Sequence, residues 1–539
     1  MAPAYSRDPN AVTSSCRRLA LSVTRNSFAV IICVPLCCLL LGYLFSHFWE
    51  RQCNNAGMHS PIENTAGRLP KVALPSRAPA SLSAGRAQLL LDFLAGALAW
   101  PTAATVLAGA WPGALLNQAV LLLLPPAAWI LLLFALGLYR REALGNTRKA
   151  LERATLAAGA SALVVSAVAT ILSASVALPI PTSALFAGTT ICFALCGVVS
   201  RLALLGLRWQ GMLHRRIVIV GSGRRAWDLA WLLRREGRSL HYEIVFVHDP
   251  AYGELDPRLV SGEAGQVVAG TGDILGIVVG FGADQVVVAP DERRGLDMRA
   301  LLSCKTAGFP VMEYLQLIED EIGRVDIKRI ELGWLLYSKG FNLGLLDRAL
   351  KRALDIAVSA AVLLATGPFL LLAIVAVKID DPGPAFYSQA RVTRGGRVFR
   401  IVKLRTMRVD AERAGAVWAA ERDPRITRIG RFLRRTRLDE LPQLINVLRG
   451  DMSFVGPRPE RPEFTNELAA KLPLYDERHL VKAGLTGWAQ VNYPYGASLD
   501  DARSKLSYDL YYVKNFSVLF DLMIVLQTLR VVLWPGGVR

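Results

Sequence analysis

Residues 356–377 read IAVSAAVLLATGPFLLLAIVAV, an apolar run that carries Gly367 and Pro368 at its centre. Basic residues flank the run, with Arg348, Lys351 and Arg352 before it and Lys378 after it. A proline inside a helix removes a hydrogen-bond donor and clashes with the preceding turn, so we expect a break at this point. Basic flanks stay on the cytoplasmic side of a membrane. We therefore predict a re-entrant helix–break–helix over 349–380 that enters one leaflet and returns. A kinked membrane crossing is the alternative.

Upstream of this run, four apolar stretches at 87–110, 115–138, 154–178 and 183–206 are each long enough to cross a bilayer. The loop between the second and third stretches is strongly basic, with Arg140, Arg141, Arg148, Lys149 and Arg153. Because basic loops stay cytoplasmic, we predict a four-helix transmembrane bundle over 86–209 with both ends inside.

The composition agrees with a membrane protein, because 53% of the residues are hydrophobic and the net charge is +18. Such a positive charge fits either nucleic acid or an anionic membrane surface with phosphate-bearing substrates. The apolar stretches favour the membrane and argue against nucleic acid. Five of the eight cysteines fall at positions 16, 33, 37, 38 and 53, without zinc-ligand spacing, so we expect no disulfide framework.

Residues 210–325 alternate between strand-like and helix-like segments, which predicts a Rossmann-like α/β module. A buried strand at 217–220 leads into Gly221 and Gly223, in the pattern G-x-G-x-x-A. This glycine pattern is a weak signal for a bound dinucleotide, and a regulatory or structural role is the stronger interpretation. We interpret residues 326–346 as a linker and residues 1–85 as a poorly ordered N-terminal extension.

The chain becomes polar beyond residue 380, and residues 347–539 form the predicted third domain. Strands are expected on either side of Gly395-Gly396, the second of them containing Lys403 and Arg405. An arginine-rich stretch follows, with arginines at 425, 428, 431, 434, 435 and 437. Its helical spacing is typical of a solvated or membrane-surface face, which is the interpretation we adopt for most of these arginines.

Asp439 and Glu440 come directly after the arginines, in the segment LDELPQL at 438–444. Pro442 is acceptable in a helix only near its start, so the helix should begin here and stop near Gly450. Carboxylates at a helix start are most often caps. The dense arginines before them, and Gly456-Pro457-Arg458-Pro459 after them, favour a phosphate site instead.

Several motifs in this order resemble the bacterial sugar transferases, the monotopic phosphoglycosyltransferases that act on polyprenyl phosphate. They are KLRTM at 403–407, DPRITRIGRFLR at 423–434, LDELPQLINVLRGDMSFVGPRPE at 438–460, LTGWAQV at 485–491 and YDLYY at 508–512. With the upstream membrane and α/β segments, the chain is most similar to the large undecaprenyl-phosphate glucose phosphotransferases of exopolysaccharide synthesis.

The resemblance implies an α/β membrane enzyme of the bacterial inner membrane whose catalytic domain faces the cytoplasm. Asp439 would attack a UDP-sugar, release UMP and carry the sugar phosphate until undecaprenyl phosphate accepts it. Glu440, together with Asp439, would hold Mg²⁺. Arg458 is the best phosphate-binding candidate, and Lys403 and Arg405 are further ones.

Some alternatives stay open at this point. Glucose is the expected sugar, while galactose or an N-acetylated sugar would need the same chemistry, and a homodimer is neither indicated nor excluded. A membrane-anchored sugar dehydratase would need a Tyr-x-x-x-Lys pair, and no tyrosine in the sequence has a lysine four residues later. A membrane scaffold with a ligand-sensing domain would explain 87–325 but not the motifs at 403–490.

Overall fold

The computed structural model describes residues 84–108, 119–173, 182–327 and 344–533, apart from gaps at 211–212, 238, 240, 271, 410, 412–422, 495 and 497. Residues 1–83 of the predicted N-terminal extension and most of the predicted linker lie outside the described residues.

The described chain begins with helices α1 Ala84–Ala108, α2 Ala119–Ala135, α3 Arg141–Gly145, α4 Thr147–Ser173 and α5 Thr182–Trp209. The four longer helices pack together, with Trp129 of α2 stacked on Phe193 of α5 at 5.1 Å. By length and composition, α4 and α5 could cross a membrane. In α2, the apolar helical stretch whose side chains the structure describes covers only Pro125–Ala135. A bundle of four crossing helices is therefore not confirmed.

The next region contains β1 His214–Val220, α6 Arg224–Glu236, β2 His241–His248, β3 Gln266–Ala269, α7 Ile274–Phe281, β4 Gln285–Val288, α8 Met298–Thr306, β5 Val311–Glu313 and α9 Tyr314–Ile322. Its five strands pair in parallel in the order β3-β2-β1-β4-β5. Because strand faces alternate, Ile217 and Ile219 join one apolar core, and Val218 and Val220 join the core on the opposite face. The predicted parallel α/β arrangement is confirmed.

Helix α10, Leu345–Asp380, is 36 residues long and contains Pro368. Its residues stay helical on both sides of the proline, so the predicted interruption of the helix at Gly367-Pro368 is not confirmed. Proline removes one intrahelical hydrogen bond, and the turns around it can retain theirs. By length and composition, α10 could also cross a membrane.

Both halves of α10 contact the region that follows it. Near its beginning, the carboxylate of Asp355 accepts hydrogen bonds from the Ser453 hydroxyl at 2.9 Å and from the Phe454 N–H at 3.0 Å. Near its end, Ala373 and Val377 join an apolar cluster with residues beyond 384. Between and around these contacts the helix exposes large apolar side chains, namely Leu364, Phe369, Leu371, Leu372 and Val375.

The last region contains β6 Phe386–Val392, β7 Val398–Leu404, α11 Arg428–Thr436, α12 Gln443–Arg449, β8 Ser453–Val455, α13 Pro462–Lys471, β9 Gly484–Thr486, α14 Trp488–Asn492, α15 Leu499–Asn515 and α16 Val518–Leu533. Strands β6 and β7 are antiparallel, and the turn between them has Gly395 at φ 67° and Gly396 at φ 74°. Glycine adopts this left-handed backbone without steric cost, which explains the Gly-Gly pair. The predicted strand pair is confirmed.

Helix α16 is a core helix of this region. Ile524 is fully buried in its core. Asp521 is also fully buried, and Lys351 of α10 donates a 2.6 Å hydrogen bond to its carboxylate. This ion pair joins α10 to α16, while α16 also packs against α2.

Candidate active site

Asp439 and Glu440 lie in a short 3₁₀ turn, Leu438–Glu440, between α11 and α12. Arg437 ends α11 with a left-handed backbone, φ 60°, which turns the chain sharply. Pro442 directly precedes α12, and Gly450 follows it with φ 92°. Both predicted limits of this helix are confirmed: proline stands where no donor is needed, and glycine takes the left-handed position that ends a helix.

Asp439 is buried, with 8% of its surface exposed, and its Oδ1 has no hydrogen-bond partner among the described residues. Burial and the neighbouring Glu440 raise the pKa of Asp439 to about 6, although Lys403, Arg434 and Arg437 pull it down. The carboxylate is therefore ionised near neutral pH and retains a free oxygen, as a nucleophile requires.

Glu440 is held by arginines. Arg458 donates from Nη2 to Glu440 Oε1 at 2.9 Å, and Arg437 Nη1 lies 3.6 Å from the same oxygen. Burial alone would raise the pKa of Glu440, but Arg458 and Arg437 outweigh it and the pKa lies below its usual value. Glu440 therefore stays ionised beside Asp439.

The turn that carries Arg458 is fixed by the backbone of two neighbouring strands. The Gly456 N–H donates to Thr486 O at 2.9 Å, and the Gly484 N–H donates to Pro457 O at 2.8 Å. A Cβ at Gly456 would lie 2.3 Å from Lys482 O, so only glycine fits this close approach.

Two further side chains hold Arg458 itself. Arg478, which is buried in an ion pair with Asp509 at 2.9 Å, donates to the Arg458 carbonyl at 2.9 Å. Gln490 Oε1 accepts from Arg458 Nη1 at 3.0 Å. Both the backbone and the guanidinium of Arg458 are thus fixed.

Lys403 lies on β7 with its Nζ 5.3 Å from the centre of the Tyr387 ring. The pKa of Lys403 is lowered to about 8, mainly by burial. The positive charges of Arg391 and Arg458 contribute to this lowering, and the negative charge of Asp439 opposes it. Lys403 thus lies close enough to Asp439 for their charges to interact, and its phosphate-binding role stays a prediction. Arg405 instead pairs with Asp381 at 3.3 Å, and no contact described for it reaches Asp439 or Glu440.

The arginine-rich stretch divides into two groups. Arg428, Arg431 and Arg435 are exposed, in agreement with the predicted surface face. Arg434 donates to Thr406 Oγ1 at 2.9 Å, and Arg437 lies against Glu440. Arg437 is also exposed, in agreement with the predicted surface face, and in addition its Nη1 lies 3.6 Å from Glu440 Oε1.

Two other residues of the site were not predicted. Arg391 is half-buried on β6, close enough to Lys403 and Arg458 for their charges to interact. Gln490 lies in the LTGWAQV motif, which resembled the family without suggesting a role for the glutamine. Because both are far from Asp439 in sequence, only the fold brings them to it.

The weak dinucleotide candidates Gly221 and Gly223 lie at a helix start that is already occupied. Asp291 accepts hydrogen bonds from the N–H groups of Arg224 at 2.7 Å and Arg225 at 2.9 Å. These are the donors that a nucleotide phosphate would use in a Rossmann fold. Asp291 thus already binds two of the backbone donors at this helix start.

Two clusters of side chains could hold a metal ion. Asp439 and Glu440 fit Mg²⁺, because the free buried Oδ1 of Asp439 is an available oxygen ligand and Mg²⁺ commonly uses one or two carboxylates with substrate phosphates. His214, His241 and Glu243 also lie together on β1 and β2. Both carboxylate oxygens of Glu243 already have partners there, His214 Nδ1 at 3.0 Å and Arg216 Nε at 2.8 Å, which disfavours a cation at this cluster.

Comparison with known proteins places this site in a family. Residues 346–535 match the family model described as bacterial sugar transferase. The UDP-N-acetylgalactosamine-undecaprenyl-phosphate N-acetylgalactosaminephosphotransferase of Aeromonas hydrophila is 40% identical over 252 residues, which are 46% of this chain and 58% of that protein. The chain thus spans less than two thirds of that relative.

Two further relatives each align over about a third of this chain. The UDP-glucose:undecaprenyl-phosphate glucose-1-phosphate transferase of Escherichia coli (strain K12) is 42% identical over 184 residues, 34% of this chain and 40% of that protein. The exopolysaccharide production protein PSS of Rhizobium leguminosarum bv. phaseoli is 42% identical over 189 residues, 34% of this chain and 94% of that protein. With nearly the whole of one relative covered at this identity, the chain belongs to the bacterial sugar transferase family.

Proposed function

We propose that this protein transfers a hexose-1-phosphate from a UDP-sugar to undecaprenyl phosphate and releases UMP. The observation that carries the proposal is the buried Asp439, whose Oδ1 is free beside the cations Lys403 and Arg437 and the Glu440–Arg458 pair. A non-enzymatic scaffold would not need a buried carboxylate with an unpaired oxygen, which is costly unless it has a partner. The relatives named for undecaprenyl-phosphate sugar transfer support the same reaction.

The reaction has two displacements at phosphorus. In the first, an Asp439 oxygen attacks the β-phosphorus, the bond from that phosphorus to the bridging oxygen breaks, and UMP leaves with the electron pair. In the second, a phosphate oxygen of undecaprenyl phosphate attacks the same phosphorus. The bond to Asp439 breaks, which restores the carboxylate and gives a diphosphate-linked sugar.

The surrounding cations stabilise the charge that moves through these steps. Lys403 and Arg458 are placed to bind phosphate oxygens, Arg458 as a planar two-point donor and Lys403 as a point charge. Glu440 holds Arg458 in place through the 2.9 Å hydrogen bond. Arg391 adds positive charge to the same site, so a diphosphate is the group that this electrostatic field favours.

Mg²⁺ is the proposed cofactor, with Asp439 and Glu440 as the residues that would hold it. When bound, it would neutralise charge on the diphosphate of the donor. Glu440 is suited to this role because its arginine partners keep it ionised.

For the donor sugar we propose glucose, because several relatives are named for glucose-1-phosphate transfer. The Aeromonas hydrophila relative, which aligns over 252 residues, is named for N-acetylgalactosamine. Galactose or an N-acetylated sugar is therefore the second candidate. Initiation of exopolysaccharide or capsule repeat units is the proposed pathway role.

We place the protein in the bacterial inner membrane with the catalytic region on the cytoplasmic face. Both halves of α10 contact that region, through Asp355 on one side of Pro368 and Val377 on the other. One folded region cannot meet both ends of a helix from opposite sides of a bilayer, so this packing supports a re-entrant or in-plane α10. The apolar side chains exposed along α10 would face lipid.

The deciding experiment is UMP release by the purified chain in detergent, with undecaprenyl phosphate and each of UDP-glucose, UDP-galactose, UDP-N-acetylglucosamine and UDP-N-acetylgalactosamine. We expect UMP and a lipid-linked sugar with one donor preferred, UDP-glucose first. Absence of UMP with all four donors would overturn the proposal. A clear preference for an N-acetylated donor would overturn only the choice of glucose.

A further inference from the structure

Helix α14 contains five residues, Trp488–Asn492, and it contacts three separate parts of the described chain. From the segment between α2 and α3, Arg140 donates to Val491 O at 3.2 Å and to Asn492 Oδ1 at 2.6 Å. On the side of the α/β module, Trp488 Nε1 donates to Gly323 O at 2.7 Å. The third contact is the hydrogen bond that Arg458 Nη1 donates to Gln490 Oε1. Helix α14 therefore has a fixed position relative to Arg458.

The contact between Gln490 and Arg458 controls the direction of the guanidinium group. Gln490 Oε1 accepts from Nη1 of Arg458, while Nη2 of the same group donates to Glu440 Oε1. Because the guanidinium is planar and its donors are fixed relative to one another, holding Nη1 also sets where Nη2 points. Gln490 and Glu440 are thus connected through the Arg458 guanidinium, which donates a hydrogen bond to each of them.

The Arg458 side chain would otherwise have freedom to move, because 40% of it is exposed. Its backbone is held by Arg478 and by the β8–β9 pairing, but these contacts leave the long side chain unrestrained. The hydrogen bonds to Gln490 and Glu440 both hold its guanidinium.

We propose that Gln490 is a positioning residue for the transfer reaction, which orients Arg458 and, through it, Glu440 toward the diphosphate of the donor. The proposal rests on the function proposed above. Helix α14 places Gln490 beside Arg458, because the Trp488 and Arg140 hydrogen bonds hold the two ends of the helix. The glutamine has no part in the displacements themselves and acts only through Arg458.

The test is a double-mutant cycle on the full-length chain, measured as UMP release at saturating and limiting UDP-sugar. Gln490→Met removes the acceptor at nearly constant volume, and we expect kcat to fall roughly 10- to 100-fold because a misplaced clamp costs rate. Gln490→Glu keeps an acceptor oxygen and should recover part of kcat. Gln527→Met in α16 is the matched control and should keep the wild-type rate.

The cycle is completed by Arg458→Lys alone and together with Gln490→Met. If Gln490 acts through Arg458, the double variant should be no slower than Arg458→Lys. Wild-type kcat in Gln490→Met, or effects that multiply in the double variant, would overturn the assignment alone. A wild-type chain that releases no UMP would overturn the proposed function and this assignment with it.

Discussion

Arg458 and Glu440 lie 18 positions apart in sequence and are joined by a 2.9 Å charged hydrogen bond from Nη2 to Oε1. The bond joins the turn after β8 to the 3₁₀ turn before α12. It fixes a cation beside the nucleophile candidate Asp439 and at the same time holds Glu440 ionised. Because one arginine serves both purposes, its replacement should affect the site more than the loss of one surface charge would.

We expect Arg458→Lys to lower kcat/KM by roughly 10²- to 10³-fold, the range seen when one transition-state donor is removed. Lysine keeps the charge but cannot donate to Gln490 and Glu440 in one plane. Steady-state UMP release measures the loss. Arg503→Lys, at an exposed pair with Asp500, is the control. Near wild-type rates in Arg458→Lys would contradict the planar-clamp role.

Asp439→Asn should abolish turnover and any phosphosugar adduct, because the amide keeps the shape but lacks the nucleophilic charge. Intact-protein mass spectrometry after incubation with the UDP-sugar alone would detect the adduct in the wild type. Asp476→Asn, an exposed aspartate after α13, should retain both signals. Substantial UMP release by Asp439→Asn would rule out the covalent mechanism.

Chelation should remove activity if Mg²⁺ is required, and Glu440→Gln should raise the Mg²⁺ concentration needed for half-maximal rate. The reason is that a neutral amide is a weaker ligand for a hard cation than a carboxylate. A titration of rate against Mg²⁺ for both proteins measures this shift. Full activity in excess EDTA would remove the metal from the mechanism.

The pH profile of kcat/KM should be bell-shaped. The pKa of Asp439 is raised to about 6, so the ionised nucleophile is lost as the pH falls below that value. The pKa of Lys403 is lowered to about 8, so its positive charge is lost as the pH rises above that value. Lys403→Arg keeps the charge at high pH and should remove the alkaline limb. An unchanged alkaline limb in that variant would assign it to another group.

Membrane topology can be tested by cysteine labelling in a background without native cysteines. Leu350 in the second turn of α10 and Pro384 beyond its end are both exposed, so Leu350→Cys and Pro384→Cys should react only with reagent added from the cytoplasmic side. Labelling of Pro384→Cys from the periplasm would mean that α10 crosses the membrane. In Gly367→Ala/Pro368→Leu we expect part of the population to cross, with loss of activity, because the restored donor favours a straight helix.

The elements set by local pattern were predictable from the sequence. The alternating strands of the α/β module, the Gly395-Gly396 turn and the limits of α12 at Pro442 and Gly450 all follow from periodicity and backbone preferences. The effect of Pro368 could not be predicted from the sequence, because a proline in an apolar segment can break a helix or leave it helical according to the packing around it. Local sequence does not contain that packing.

Some residues of the active site could likewise be predicted from the sequence, and others could not. Asp439 and Glu440 could be singled out because they are adjacent and follow a dense run of arginines. The roles of Arg405 and Gln490 could not be distinguished by pattern, since both lie in motifs of the family. Only the fold shows that Arg405 faces Asp381 while Gln490 faces Arg458.

The contacts of α14 have a consequence for modular exchange between relatives. A chimera that replaces only residues from 346 onward would bring a foreign α14 against the resident Arg140 and Gly323. Those two partners lie in sequence before the exchange point, although in space they adjoin the helix that carries Gln490. The part that has to be transplanted together is therefore discontinuous in sequence, and it includes the segment before α3 and the residues after α9 as well as the catalytic region.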